Sequence, residues 1–225
     1  MSQIKVKRRI PSPKDLAQLL KFRKVIFSPR KRRLSRALTI YDLRAIAKKR
    51  TPQAPFDYTD GGADTESSLT RARDAYEKLE FQPKILLNVK DVDLSVNMLG
   101  KKMSMPLGIA PTGFTRMMQT EGEYAGACAA QDAGIPFTLS TMGTRSIEDV
   151  AKAAPNGRNW FQLYMWKDRD ASMELVRRAQ ESGVKNLMLT VDVPVAGARL
   201  RDVRNGLTVP PRLTGKTLID ALPRP

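Results

Sequence analysis

An α/β protein whose parallel sheet stands behind an N-terminal helical cap is what this 225-residue chain predicts, and three observations carry the expectation. From Pro106 onward, four short apolar runs alternate with helix-like stretches. The runs recur at spacings of roughly 24 to 30 residues, too long for hairpins and suited to βαβ crossovers. Gly134 and Gly183 fall just past two of the helical stretches, where a left-handed residue commonly ends a helix. A doubly wound sheet and a (β/α) barrel both satisfy this pattern. No GxGxxG follows the first run, which counts against a dinucleotide-binding sheet.

Taken in order, residues 1–38 read as an irregular basic arm, with Pro11, Pro13 and Pro29 and the run Arg30-Lys31-Arg32-Arg33. Thr39 with Asp42 three residues later makes a capping pattern, and Ile40, Leu43, Ile46 and Ala47 give the following helix one apolar face until Thr51-Pro52 stops it. Pro55 to Asp64, PFDYTDGGAD, reads as a loop, and Leu69, Ala72, Tyr76 and Leu79 then recur at helical spacing. Residues 39–105 are therefore the helical cap and lead-in, and 106–225 the main fold. Its expected strands are Leu107 to Ala110, Phe137 to Leu139, Trp160 to Leu163 and Leu187 to Val191. Its expected helices run from Glu121 to Ala133, from a Ser146 cap with Asp149 three residues on, and from about Asp170 to Glu181.

Apolar content of 41% and charge of 28% are ordinary for a globular chain. No run of about 18 apolar residues could span a bilayer. Val25-Ile26-Phe27 is too short for the core of a signal peptide, so a cytoplasmic location is expected. The single cysteine, Cys128, forbids an internal disulfide and sits among alanines as a small packing residue. The net charge of +16 is concentrated: residues 1–50 hold 17 Lys and Arg against Asp15 and Asp42, whereas the rest hold 22 basic and 21 acidic residues. Such an arm suits an anionic membrane surface or an acidic partner. Nucleic acid is the weaker option, because no aromatic residues alternate with the basic ones.

In parallel α/β folds ligands sit at the carboxyl ends of the strands. The first end offers Pro111, Thr112 and Gly113; the second Ser140 and Thr141; the third Gln162 and Tyr164; the fourth Thr190 and Asp192, running into a loop rich in Pro, Gly and Arg that carries Arg199. Hydroxyls and an amide can hydrogen-bond the polar edge of a flat heterocycle, and a guanidinium fork suits a carboxylate. Each residue also has a structural explanation when taken singly.

Their order is more informative. FDYTDGGA, PLGIAPTGF, TLST, WFQLYMWKDR and LTVDVPVAGARLRD resemble the successive motifs of the FMN-dependent α-hydroxy-acid dehydrogenases and oxidases, over about Thr39 to Leu213. VDVPVAGARLRDVRNGL is most similar to the quinone- or cytochrome-linked L-lactate dehydrogenases of that family. The resemblance implies a TIM (β/α)8 barrel, here its helical cap and about the first four βα units. It implies FMN held by backbone at Pro111, Thr112 and Gly113 and by Ser140, Gln162 and Thr190, with Tyr58 and Arg199 on a substrate carboxylate and Tyr164 on its hydroxyl. It further implies oxidation of a small L-2-hydroxy acid, L-lactate to pyruvate, with electrons leaving to a quinone or cytochrome. A homo-oligomer, peripheral on the inner face of the cell membrane, would follow. Gly113 and Met142 differ from some members and leave room in the pocket, so the size of the acid stays open. No metal is implied.

One departure concerns catalysis. The family's proton-abstracting histidine lies on later strands, and this chain contains no histidine. The expectation is a chain without its catalytic base and inactive as it stands, either a flavin-binding piece or a basic-arm binding protein. Its first and fourth strands would present unpaired edges prone to association.

Overall fold

The structure, a computed structural model, describes residues 25–192 and 195–208 and the single positions 215, 219, 220 and 222. The first 24 residues of the basic arm, Val193 and Pro194 of the site stretch, and most of the last 17 positions lie outside the described residues. The chain divides between Lys49 and Arg50 into two compact units.

In the first unit, the expected irregular arm contains a short helix, α1 (Pro29–Leu34). Ser28 caps it by accepting a hydrogen bond from the Lys31 amide, and Pro29 occupies the first helical position, where a missing N–H costs nothing. Sequence reading weighed the prolines and missed the cap. α2 (Ile40–Arg50) begins where the capping pattern places it. Asp42 Oδ2 accepts from the Leu38 and Thr39 amides, both at 2.9 Å, while the Asp42 amide donates to Thr39 Oγ1 at 3.2 Å. The Leu38 amide first, then the Thr39 hydroxyl and amide, hold the Asp42 carboxyl below its usual range.

In the second unit, the expected PFDYTDGGAD loop is largely helix: α3 (Gln53–Asp60) takes in its first six residues. Pro55 is tolerated because the first turn has no intrahelical acceptor for its N–H. Buried Ala54 and Phe56 anchor the helix, and the glycine pair after Asp60 ends it. α4 (Ser67–Glu77) follows, with Tyr76 and Leu79 of its expected apolar face exposed. A hairpin that the sequence did not signal joins β1 (Val96–Met98) to β2 (Lys101–Met103). Its two turn residues, Leu99 and Gly100, both have positive φ, at 49° and 74°, as a type I′ turn requires. Leucine is a poor occupant of that position, which is why no Asn-Gly signal was present.

The expected first strand is reduced to one bridge. Ile109 pairs in parallel with the next strand through Ile109 N to Pro136 O at 2.9 Å and Thr138 N to Ile109 O at 3.0 Å. Pro106 and Pro111 bracket it and cannot donate to a ladder. The other three runs form a parallel sheet of order β3 (Pro136–Ser140), β4 (Arg158–Tyr164), β5 (Leu187–Thr190). α5 (Glu123–Ala133) precedes β3, and α6 (Ile147–Ala153) and α7 (Arg169–Glu181) lie between the strands. Ser146 and Asp168 cap the latter two, and Gly134 closes α5 in the left-handed conformation. The helices cover one face of the sheet, where Phe137, Leu139, Phe161 and Leu163 pack with Ala127, Ala130, Ile147, Val150 and Ala179. Alternation then puts Thr138, Ser140 and Gln162 on the other face. Cys128 is only partly buried, its thiol donating to the Ala153 carbonyl.

The fourth strand lies at an edge. Leu187 and Leu189 pair with Phe161 and Leu163 and so belong to the helix-side face, yet both are about half exposed at 49%. A groove of about 460 Å³ lies beside them, lined by Val176, Ala179 and Val184 among others.

Candidate functional site

Parallel register brings the carboxyl ends of β3, β4 and β5 together. Ser140 pairs with Gln162, and Tyr164 with Thr190. The side chains close the gaps between strands. Ser140 Oγ donates to Gln162 Oε1 at 3.1 Å, which also accepts the Thr141 amide at 3.1 Å. Gln162 Nε2 donates to Thr190 Oγ1 at 2.8 Å. Gln162 is buried. Thr141 knits the same two strands from the side, its hydroxyl donating to the Gln162 carbonyl at 2.5 Å and accepting the Tyr164 amide at 3.1 Å.

This chain of bonds fixes orientation as well as position. The Gln162 carbonyl oxygen is doubly engaged, so its amide nitrogen must face Thr190. One Nε2 hydrogen remains to donate, as does the Thr190 hydroxyl hydrogen, since its oxygen is used as an acceptor. The row is neutral and directional, which fits the carbonyls and ring nitrogens along the edge of a flavin. It offers no charge for a phosphate.

Ahead of β3, the Pro111–Gly113 turn runs onto the same end of the sheet. Phe114 N donates to Met142 O at 3.0 Å, and a Cβ built on Gly113 would stand 2.9 Å from the Met142 Cβ. Gly113 therefore accommodates Met142 and does not merely leave space in a pocket. Pro111 and Gly113 are half-buried and Thr112 is exposed.

The second cluster joins α3 to the stretch after β5, where α8 (Leu200–Asn205) replaces the loop expected after the strand. Tyr58 of α3 meets Phe114 edge to face, with ring centroids 5.9 Å apart, and the Arg199 guanidinium lies 4.8 Å from its ring centroid. Arg199 Nε donates to Asp202 Oδ2 at 2.5 Å, and Nη2 donates to the Tyr58 carbonyl. The guanidinium is thus held at two corners beside the Tyr58 ring. Burial raises the Tyr58 phenol above its usual value; Arg199 opposes this, while Asp202 and Tyr164 add to it. The phenol stays protonated, and able to donate, throughout the neutral range. Tyr164 is close enough to influence Tyr58 electrostatically.

Arg201, which sequence reading passed over, fastens the stretch to the cap. It pairs with Glu66, with Asp60 at 3.2 Å and with Asp57 at 3.6 Å, while Asn205 Nδ2 donates to Asp57 Oδ2 at 2.8 Å. The Asp64 amide donates to the Ala198 carbonyl at 2.8 Å. A signal existed: three of the acidic residues of DYTDGGADTE face a second arginine two places after Arg199. Glu123 was also missed. Burial pushes its carboxyl up, but the Thr144 amide at 2.7 Å and the Thr144 hydroxyl bind it, and its net position is below the usual range. Among the described residues, no group of His, Cys, Asp and Glu could hold a metal ion.

With this geometry in view, comparison with known proteins is direct. The model of the family described as FMN-dependent dehydrogenase matches residues 47–225. A protein of Mycobacterium tuberculosis named "Putative L-lactate dehydrogenase" is 59% identical over 98% of this chain and 53% of its own length. The glycolate oxidase of Spinacia oleracea is 44% identical over 79% of this chain and 48% of its own. The crystal structure of the monotopic membrane protein (S)-mandelate dehydrogenase matches with a TM-score of 0.77 and 39% identity, covering 82% of this chain and 49% of that one. The chain spans about half the length of the curated relatives it matches. Its cap and parallel βα units are part of a TIM-type (β/α) barrel, and the chain belongs to the FMN-dependent dehydrogenase family.

Proposed function

We propose that this chain supplies the flavin-edge and carboxylate-binding part of an L-2-hydroxy-acid oxidoreductase, with L-lactate going to pyruvate and electrons passing to a quinone or cytochrome. The observation that carries the reading is the directed row Ser140–Gln162–Thr190 across three parallel strand ends. Bound FMN would supply the redox chemistry, accepting the substrate's α-hydrogen. Gln162 Nε2 and the Thr190 hydroxyl would donate to the polar edge of the ring, with the Pro111–Gly113 backbone beside it. Arg199, steadied by Asp202, would receive the substrate carboxylate, the neutral Tyr58 phenol would donate to it, and Tyr164 would hold the hydroxyl. Fixing the acid by two groups makes its approach effectively intramolecular.

No histidine is present to take the hydroxyl proton, so the chain by itself binds without turnover. General base catalysis is worth roughly 10²- to 10⁴-fold. No described helix is long and apolar enough to cross a membrane. The reading places the protein on the cytoplasmic side, free or peripheral.

Titration of the purified chain with FMN, followed by quenching of flavin fluorescence, tests this. We expect saturable uptake, weakened about 10-fold by Thr190→Val through loss of one directed hydrogen bond, and no bleaching by L-lactate under anaerobic conditions. Absence of uptake, or uptake indifferent to Thr190→Val, would overturn the flavin assignment. Bleaching by L-lactate would overturn the claim that the base is lacking.

A further inference from the structure

We propose that the segment Val25–Leu38 is a docking surface for anionic lipid. It needs no flavin and does not depend on the reading above. Two observations converge on it. The first is charge: α1 and its flanks present Arg30, Lys31, Arg32, Arg33 and Arg36 within seven positions, in a first fifty residues that hold 17 basic side chains and only two acidic ones. The second is visible only in the structure: large apolar side chains are interleaved with these charges and are turned to solvent. Phe27 and Leu38 are each 89% exposed and Val25 76%, and Leu34 on α1 itself is 45% exposed.

Either feature alone is common. A solvated basic run needs no partner, and single exposed leucines are normal. Together they match what an interface between water and lipid rewards. Basic residues meet phosphate headgroups at the depth where Phe, Leu and Val can enter the acyl boundary, so Coulomb attraction and apolar burial act on one segment. A nucleic acid would use the charges but offers nothing to Val25, Leu34 or Leu38, and only Phe27 could stack on a base. The Ser28 cap and Pro29 preset α1, so the basic cluster is ordered before contact.

Flotation with vesicles tests the proposal and separates bound protein from aggregates, which sink. The full 225-residue chain is mixed with vesicles of phosphatidylcholine alone, or of phosphatidylcholine with about one third phosphatidylglycerol, at low and high salt. The chain should float with the anionic vesicles only, and added salt should release it. Reversing four charges, Arg30→Glu, Lys31→Glu, Arg32→Glu and Arg33→Glu, should weaken binding by about 100-fold or more. Phe27→Ser with Leu38→Ser, which leaves every charge in place, should weaken it about 10-fold. Failure to float with anionic vesicles would overturn the proposal, as would equal binding to neutral ones. If the apolar pair has no effect while duplex DNA binds as tightly as anionic lipid, the surface is a nucleic-acid site and the lipid assignment falls.

Discussion

The two clusters of the candidate site are held by different forces. At the strand ends, Ser140, Gln162 and Thr190 sit on adjacent ladders, and neutral hydrogen bonds join residues that backbone register already places side by side. Between cap and loop, residues some 140 positions apart meet: Arg199 donates to the Tyr58 carbonyl and lies against its ring, and carboxylates of the cap take Arg201. The first cluster is as rigid as the sheet beneath it. The second is as firm as its ion pairs, which are partly exposed and screened by salt. On the proposed reading, the groups for the ring edge rest on the scaffold and the groups for the substrate rest on a latch.

The largest effect should come from breaking the strand-end row. Gln162→Leu keeps volume and burial but strips partners from the Ser140 hydroxyl, the Thr141 amide and the Thr190 hydroxyl. Leaving buried polar groups unsatisfied costs about 3 kcal/mol here. The loss should appear as a lower urea midpoint for the whole sheet, and an unchanged midpoint would mean that the row carries no stability.

Arg201→Gln should act differently. It leaves Asp57, Asp60 and Glu66 facing one another without their shared cation. The global cost should be smaller, about 1 to 2 kcal/mol, because Arg201 is partly exposed. Its local consequence should be larger: faster amide exchange at Asp64, whose amide bonds the Ala198 carbonyl, with the β3 and β4 amides unchanged. Equal acceleration in both places would erase the distinction between scaffold and latch.

Gly113→Ala probes the seam between the two clusters, since Gly113 touches Met142 and its neighbour Phe114 touches Tyr58. The added methyl would meet a Cβ, which cannot swing aside, at a cost of about 1 to 2 kcal/mol. Met142→Gly removes that Cβ, so the double variant should recover most of the loss relative to the single variants. Strict additivity would show that the contact is not the cause.

Legibility from sequence followed the same division. Three of the four strands, the cap at Ser146 and the grouping of Ser140, Gln162 and Thr190 came from periodicity, capping chemistry and motif order, because each depends on neighbours in sequence or on the regular geometry of a parallel sheet. The strand at Leu107 to Ala110 shrank to one bridge at Ile109, since apolar character was visible while the lost donors of Pro106 and Pro111 were discounted. α3 and α8 were read as loops because glycine and proline outweighed what packs on them: Phe56 buries itself for one, and Arg201 and Asn205 tie the other to Asp57. Such cross-chain attachments have no local pattern. Only the match of three carboxylates in one motif to a second arginine in another could have indicated them.

The smallest effect is a matter of pH, and it reaches the helices behind the strand-end row. Glu148 of α6 accepts from Arg178 Nε and Nη2 of α7, both at 2.8 Å, and that pairing, with help from its own amide, lowers its carboxyl from 4.5 to about 2. A depressed carboxylate contributes stability that is complete above its unfolded value and is lost as protons bind the folded form. The window therefore runs downward from about pH 4.5 to about pH 2. Both side chains are more than a third exposed, so screening reduces the contribution to about 0.5 to 1 kcal/mol. Wild type should lose that amount relative to Glu148→Gln across the window, read as converging urea midpoints, and the two should differ by a constant above pH 5. The latch has its own acid-sensitive member, because Arg201 and the Gly62 amide likewise hold Glu66 below its usual range. Acid should therefore loosen the cap-to-loop cluster even in Glu148→Gln, where the α6–α7 link no longer titrates. If the protection of the Asp64 amide in that variant, corrected for the intrinsic pH dependence of exchange, stays constant down to pH 3, the latch does not depend on the Glu66 charge, and the Asn205–Asp57 and Asp64–Ala198 hydrogen bonds hold it instead.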